Sequence, residues 1–168
     1  MERSVEIRIA NKTHDVTFHS PRSYCFSGYS SNPPCPRIPP GATESCQFTN
    51  SMLRFRGSVG LLVYEADTFT LAILFSNPFD YNLYSVEFAV EISMHKAHLK
   101  DLQNIYKRMY NDQPASTGNE TMLHRVKLGA CQEPVMVSAG QVKVMATMSN
   151  ARKSIMRVII NGQEDYTA

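Results

Sequence analysis

The sequence contains no tryptophan, although it carries 8 tyrosines and 8 phenylalanines. Charge is also scarce. Charged residues make up 19% of the 168 positions, and 17 Lys+Arg against 15 Asp+Glu leave a formal net charge of +2. With no basic run to concentrate it, that balance excludes an electrostatic footprint for nucleic acid. No apolar run approaches the roughly 20 residues that a membrane-crossing helix needs. The opening MERSVEIRIANKT already alternates like a strand and lacks the layout of a secretory signal. The expectation is a soluble protein, cytoplasmic or exported by a route this sequence does not display, and peripheral on any membrane it meets.

Chemistry-bearing motifs are equally sparse. The 4 cysteines are Cys25, Cys35, Cys46 and Cys131. None forms a C-x-x-C pair, which argues against a zinc site. Their spacing leaves open whether any of the first three share a disulfide. His95 and His98 lie three apart, but no further ligand is placed by pattern, so solvated or capping histidines are the expected reading. No G-x-S-x-G, H-E-x-x-H, phosphate loop or dinucleotide fingerprint occurs. The sequence therefore reads as a non-enzymatic protein without a cofactor. A nucleophile built from Cys131 or His124 is the enzymatic alternative, because such pairs meet only in the fold.

What the chain does have is strand periodicity. Val5, Ile7 and Ile9 alternate with polar residues, the signature of a half-buried strand. Tyr24 to Gly28 reads as another strand. Ser30 to Gly41 holds Pro33, Pro34, Pro36, Pro39 and Pro40, which predicts an extended loop or a crossing at a sheet edge. Gly57 to Tyr64 and Thr70 to Phe75 are apolar and β-branched, the pattern of a hairpin buried on both faces. Gln141 to Met148 and Ser154 to Ile160 form a second hairpin around a turn at Ser149 to Lys153. Both chain ends are expected to fray at Met1–Glu2 and from Gly162 to Ala168. One segment, His98 to Tyr110, shows helical spacing: Leu99, Leu102, Ile105, Tyr106 and Met109 form an apolar stripe with Tyr106 and Tyr110 on one margin. The expected architecture is a single mainly β domain over residues 1–168, a β-sandwich of two sheets with one short flanking helix.

The most informative stretch is Leu71 to Ile92. A buried strand stops at Ser76-Asn77-Pro78, and Phe79, Asp80, Tyr81, Asn82, Leu83 and Tyr84 follow in one loop. Aromatics usually go to cores, so their crowding in a turn is unusual. A new alternating strand follows through Val86, Phe88, Val90 and Ile92. Tyr81, Tyr84, Tyr106 and Tyr110, with Ser27 and Ser76, have the chemistry of a cage. Aromatic faces attract a quaternary ammonium by about 0.5–2 kcal/mol each, and the hydroxyls can donate to an attached phosphate.

Ser76-Asn77-Pro78-Phe79-Asp80-Tyr81-Asn82-Leu83-Tyr84-Ser85 resembles the loop motif of the actinoporins, the sea-anemone pore-forming cytolysins, and of their vertebrate relatives. Gly57-Ser58-Val59-Gly60, Tyr24-Cys25-Phe26-Ser27-Gly28 and the tyrosine helix resemble the same family, and the likeness runs from Val5 to Ile160. It implies a helix-flanked β-sandwich that binds phosphocholine headgroups, especially of sphingomyelin, on a membrane surface, and that self-associates there. It further implies a headgroup pocket of Ser27, Val59, Ser76, Pro78, Tyr84, Tyr106 and Tyr110. Phe79, Asp80, Tyr81 and Leu83 would contact the membrane. Three features depart from the family. Only four residues precede Val5, where the family carries an amphipathic pore helix, so pore formation is not expected of the sequence as it stands. Leu83 and Phe88 replace interfacial tryptophans. Pro114 to Asn119 replaces an Arg-Gly-Asp stretch tied to oligomer contacts. A similar sandwich occurs in fungal fruit-body lectins, which makes glycan binding the alternative function.

Overall fold

Apolar alternation at a period of two becomes strands on both sides of a single core. The computed structural model describes residues 2–51, 56–115, 120–129 and 133–162. In chain order the elements are β1 (Ser4–Asn11), β2 (Phe18–Ser27), β3 (Tyr29–Asn32), β4 (Arg37–Ile38), β5 (Thr43–Thr49), β6 (Ser58–Glu65), β7 (Thr70–Asn77) and β8 (Glu87–Ser93). A 3-10 turn (Ala97–Leu99) and α1 (Leu102–Tyr110) come next, then β9 (Thr121–Lys127), β10 (Val135–Ala139), β11 (Val142–Met148) and β12 (Lys153–Gly162). They form two sheets, one ordered β10-β11-β12-β1-β5-β3 and the other β4-β2-β6-β7-β8-β9. Pairing is antiparallel apart from β1 with β12. The proline-rich stretch does cross between sheets: β3 is an edge of the first, β4 an edge of the second, and Pro33, Pro34 and Pro36 lie between them.

The inward faces meet in one cluster that includes Ile7, Phe48 and Val158 from the first sheet and Leu62, Phe75 and Phe88 from the second. The Phe48 and Phe75 rings lie 4.6 Å apart. Each such side chain removed from water contributes about 1.5–3 kcal/mol. The outer face of the second sheet carries a smaller cluster, in which Leu61, Val63, Ala72, Leu74 and Ala89 pack beneath Ile105, Tyr106 and Met109 of α1. That is why the β6–β7 hairpin is apolar on both faces: one looks into the sandwich, the other at the helix.

The helix is shorter than its sequence pattern. It starts after Asp101, whose Oδ1 accepts the Gln103 backbone N–H at 3.0 Å and satisfies one of the free donors of the first turn. His98 is not on the helix and is neither solvated nor a cap. It is fully buried, with Nδ1 2.8 Å from the Thr70 hydroxyl and Nε2 2.6 Å from Glu91 Oε1. Drawing His98 inward breaks the run, and Leu99 is left exposed rather than in the apolar stripe. His95 is on the surface, 2.7 Å from the Glu120 carboxylate. β5, β9 and β10 fall in segments for which no strand was expected, although Val135, Val137 and Ala139 of β10 alternate inward at a period of two. The chain is held from Arg3 onward, and Gly162, expected to fray, instead closes β12. Met1, Cys131, Asn119 and the segment from 163 to 168 lie outside the described residues. Among the described residues no helix is long and apolar enough to cross a membrane, and Cys25, Cys35 and Cys46 are free thiols.

Candidate functional site

Cross-strand register builds the site. Ser27 on β2 pairs with Val59 on β6, Val59 with Ser76 on β7, Ser76 with Glu87 on β8, and Glu87 with Lys127 on β9. These five residues form one continuous row across the second sheet. The next row on the same face is Tyr24, Leu61, Leu74, Ala89 and Arg125, and the one after it includes Val63, Ala72 and Glu91. Residues two apart on a strand share a face. The helix covers the second and third rows, while the first row lies at a cavity of about 960 Å³.

All seven residues implied for the pocket line that cavity: Ser27, Val59 and Ser76 from the sheet row, Pro78 and Tyr84 from the loop, Tyr106 and Tyr110 from α1. The i, i+4 spacing places Tyr106 and Tyr110 side by side, with ring centroids 5.7 Å apart. Tyr106 is buried and belongs to the cluster under the helix, whereas Tyr84 is 61% exposed at the mouth. Burial and the Glu87 charge raise the Tyr110 hydroxyl above its ordinary value, while Arg125 opposes them. Burial likewise raises Tyr106. Both tyrosines therefore remain protonated donors at neutral pH.

The loop from Pro78 to Val86 has two sides. Asp80 shapes it: Oδ1 accepts the Asn82 N–H at 2.9 Å, and its carbonyl accepts the Tyr84 N–H at 3.0 Å. This turn points Leu83 outward, 72% exposed. Phe79, Asp80 and Leu83 also line the cavity. Tyr81 does not join them. Its hydroxyl donates to Asn77 Oδ1 at 2.7 Å, and its ring faces the Arg3 guanidinium, 4.9 Å from its centroid. Arg3 is buried and also lies 5.0 Å from the Phe79 centroid. It donates to the carbonyls of Pro78 at 3.2 Å and Phe79 at 2.9 Å. Asn77 Nδ2 in turn donates to the carbonyls of Ser4 at 3.0 Å and Arg152 at 2.9 Å, which ties the loop base to the opposite sheet. Gly57 permits the close fit: a Cβ there would stand 2.1 Å from the Asn77 carbonyl oxygen.

Several residues of the site were not singled out in the sequence. Phe26 stacks on Tyr106 with centroids 5.5 Å apart and lines the cavity, as do Glu87, Lys107 and Lys127. A period-two count from Tyr24 through Phe26 would have found the first. The charged residues become visible only through strand register. Cys131 lies outside the described residues, and His124 Nδ1 accepts the Met136 N–H at 3.2 Å. Burial pushes the Cys46 thiol up to about 12 and raises Cys25, the opposite of an activated nucleophile.

The family model for sea anemone cytotoxic proteins matches residues 48–150, a stretch that contains the loop, the helix and every pocket residue but Ser27. The chain belongs to this family. Among its relatives, cytolysin tenebrosin-B of Actinia tenebrosa is 38% identical over 87 residues, covering 51% of this chain and 40% of that protein. Deep-sea actinoporin Cjtox I of Cribrinopsis japonica is 33% identical over 102 residues, covering 57% of this chain and 44% of that protein. The chain thus spans less than half the length of these two relatives. The crystal structure of the lipid binding protein Nakanori superposes with a TM-score of 0.70 over 94% of this chain and 70% of that one, at 19% identity. That likeness shows a shared fold.

Proposed function

We propose that this protein binds membranes by seating phosphocholine headgroups, those of sphingomyelin included, in the aromatic cavity. One observation carries the reading: seven residues drawn from β2, β6, β7, the following loop and α1 converge on one cavity, and their chemistry suits a quaternary ammonium joined to a phosphate. Membership of the cytotoxic protein family and the lipid-binding fold neighbour support it, and both favour a binding role over an enzymatic one. Leu83 at the cavity mouth is suited to enter the apolar edge of the headgroup layer.

Vesicle sedimentation tests this. Phosphatidylcholine vesicles, with and without sphingomyelin, should capture the protein, and free phosphocholine should compete. Tyr84→Ala should weaken capture without loss of stability, since Tyr84 is exposed. Leu83→Asp should do the same, because burying an apolar side chain is worth roughly 1.5–3 kcal/mol. Tyr106→Ala is a poorer probe, because this ring also supports the helix. If the protein ignores both vesicle types yet binds on a glycan array, the lectin function replaces this one.

A further inference from the structure

Charge in the cavity is layered by depth. Glu87 is only 4% exposed. Lys107, Lys127 and Arg56, which line the same cavity, are exposed, and so is Asp80 on the loop. The interior thus holds a carboxylate beside tyrosine rings, and the rim holds three cations and one acid. Glu87 has partners and still lines the cavity: the Tyr110 side chain hydrogen-bonds its carboxylate, and Arg125 donates to its Oε2 at 3.1 Å. Arg125 divides its guanidinium between Glu87 and Tyr110: it also faces the Tyr110 ring at 5.3 Å and donates to the Tyr110 carbonyl.

We propose that Glu87 is the specificity-determining anion of this cavity. It selects a zwitterionic phospho-amine that enters amine first and leaves its phosphate at Lys107 and Lys127. The direction follows from the layering. A cation gains most where a carboxylate and aromatic faces are shielded from water, and a phosphate gains most from exposed ammonium groups at the rim. It also suits a headgroup still attached to a bilayer, in which the amine is the outermost group and the phosphate lies nearer the membrane. The inference rests on the headgroup reading above and adds which end of the ligand enters and which residue reads it.

Calorimetric titration compares phosphocholine with its isostere in which a tert-butyl group replaces trimethylammonium. Shape and phosphate are kept, and the positive charge is removed. The wild-type protein should prefer phosphocholine by about tenfold or more, the scale of one cation–π or contact charge interaction shielded from water. Glu87→Gln should keep its affinity for the isostere, which shows an intact pocket, and lose roughly tenfold of the preference. Lys107→Gln with Lys127→Gln should weaken both ligands alike and flatten the salt dependence. An unchanged preference in Glu87→Gln, or a parallel loss for both ligands, overturns the proposal. Capture of the wild type by phosphatidylcholine vesicles, run alongside, separates the two readings. If neither vesicles nor soluble phosphocholine bind, the headgroup function itself is wrong. If both bind and Glu87→Gln discriminates as well as the wild type, only the role of Glu87 falls.

Discussion

Glu87 and Glu91 stand on the same face of β8, four residues apart, and both are almost fully removed from solvent. Glu91 lies under the helix, and its charge is spent within the protein. Arg108 donates to Oε2 at 2.8 Å and Oε1 at 2.6 Å, His98 Nε2 reaches Oε1 at 2.6 Å, and His98 in turn meets Thr70. The network joins α1, the 3-10 turn and two strands of the sheet. Glu87 lies two rows further along, at the cavity, with Arg125 as its ion-pair partner. One carboxylate holds the helix on the sheet. The other faces the space that the helix and the loop leave between them. Identical residue types on one strand face acquire different work because one is covered and the other is not.

Removing the covered carboxylate should do the most damage. Glu91→Ala strands a buried His98 and the Arg108 guanidinium, and should cost about 3–5 kcal/mol in urea or thermal unfolding. Near-wild-type stability would mean that the helix is held by its apolar face alone.

Acid should act on the covered carboxylate next. Burial alone would raise the Glu91 carboxyl, but the hydrogen bonds and charges of Arg108 and His98 outweigh it and hold the group below its ordinary value of 4.5. The unfolded state therefore binds a proton more readily than the folded state does. The stabilisation is fully present above the unfolded value and is lost as pH falls through the lower folded value. Unfolding free energy should decline below about pH 4.5 in the wild type, and Glu91→Gln should flatten that decline.

The smallest effect on stability belongs to Glu87→Gln, about 1 kcal/mol or less, since the amide oxygen can still accept from Arg125. A melting curve that matches wild type beside a changed ligand preference would sharpen the contrast between the two sites. A large stability loss would place Glu87 with Glu91 as a structural residue.

The sequence was most legible where local pattern and tertiary role coincide. Val5, Ile7 and Ile9 alternate because one face of β1 meets the core. Both faces of the β6–β7 hairpin are apolar because both are covered. Ser76 to Ser85 stood out because aromatics in a turn conflict with their usual burial. Tyr106 and Tyr110 are neighbours by helical spacing alone. The helix start was misplaced because His98 is drawn inward to Thr70 and Glu91, which sit on two neighbouring strands of the sheet rather than on the helix.

Taken by itself, the chain determined the sandwich class, the paired hairpins, the loop and the tyrosine margin of the helix. Each depends on periods of two or about four residues, or on turn chemistry, and so on interactions within a few positions. Only the tertiary structure decided that Arg3 grips a loop more than seventy positions away, that Phe26 joins the tyrosines, and that Glu87 faces a cavity while Glu91 is sealed. Charges at one strand spacing look alike in sequence, and what distinguishes them is the neighbour that register and helix docking bring from elsewhere in the chain.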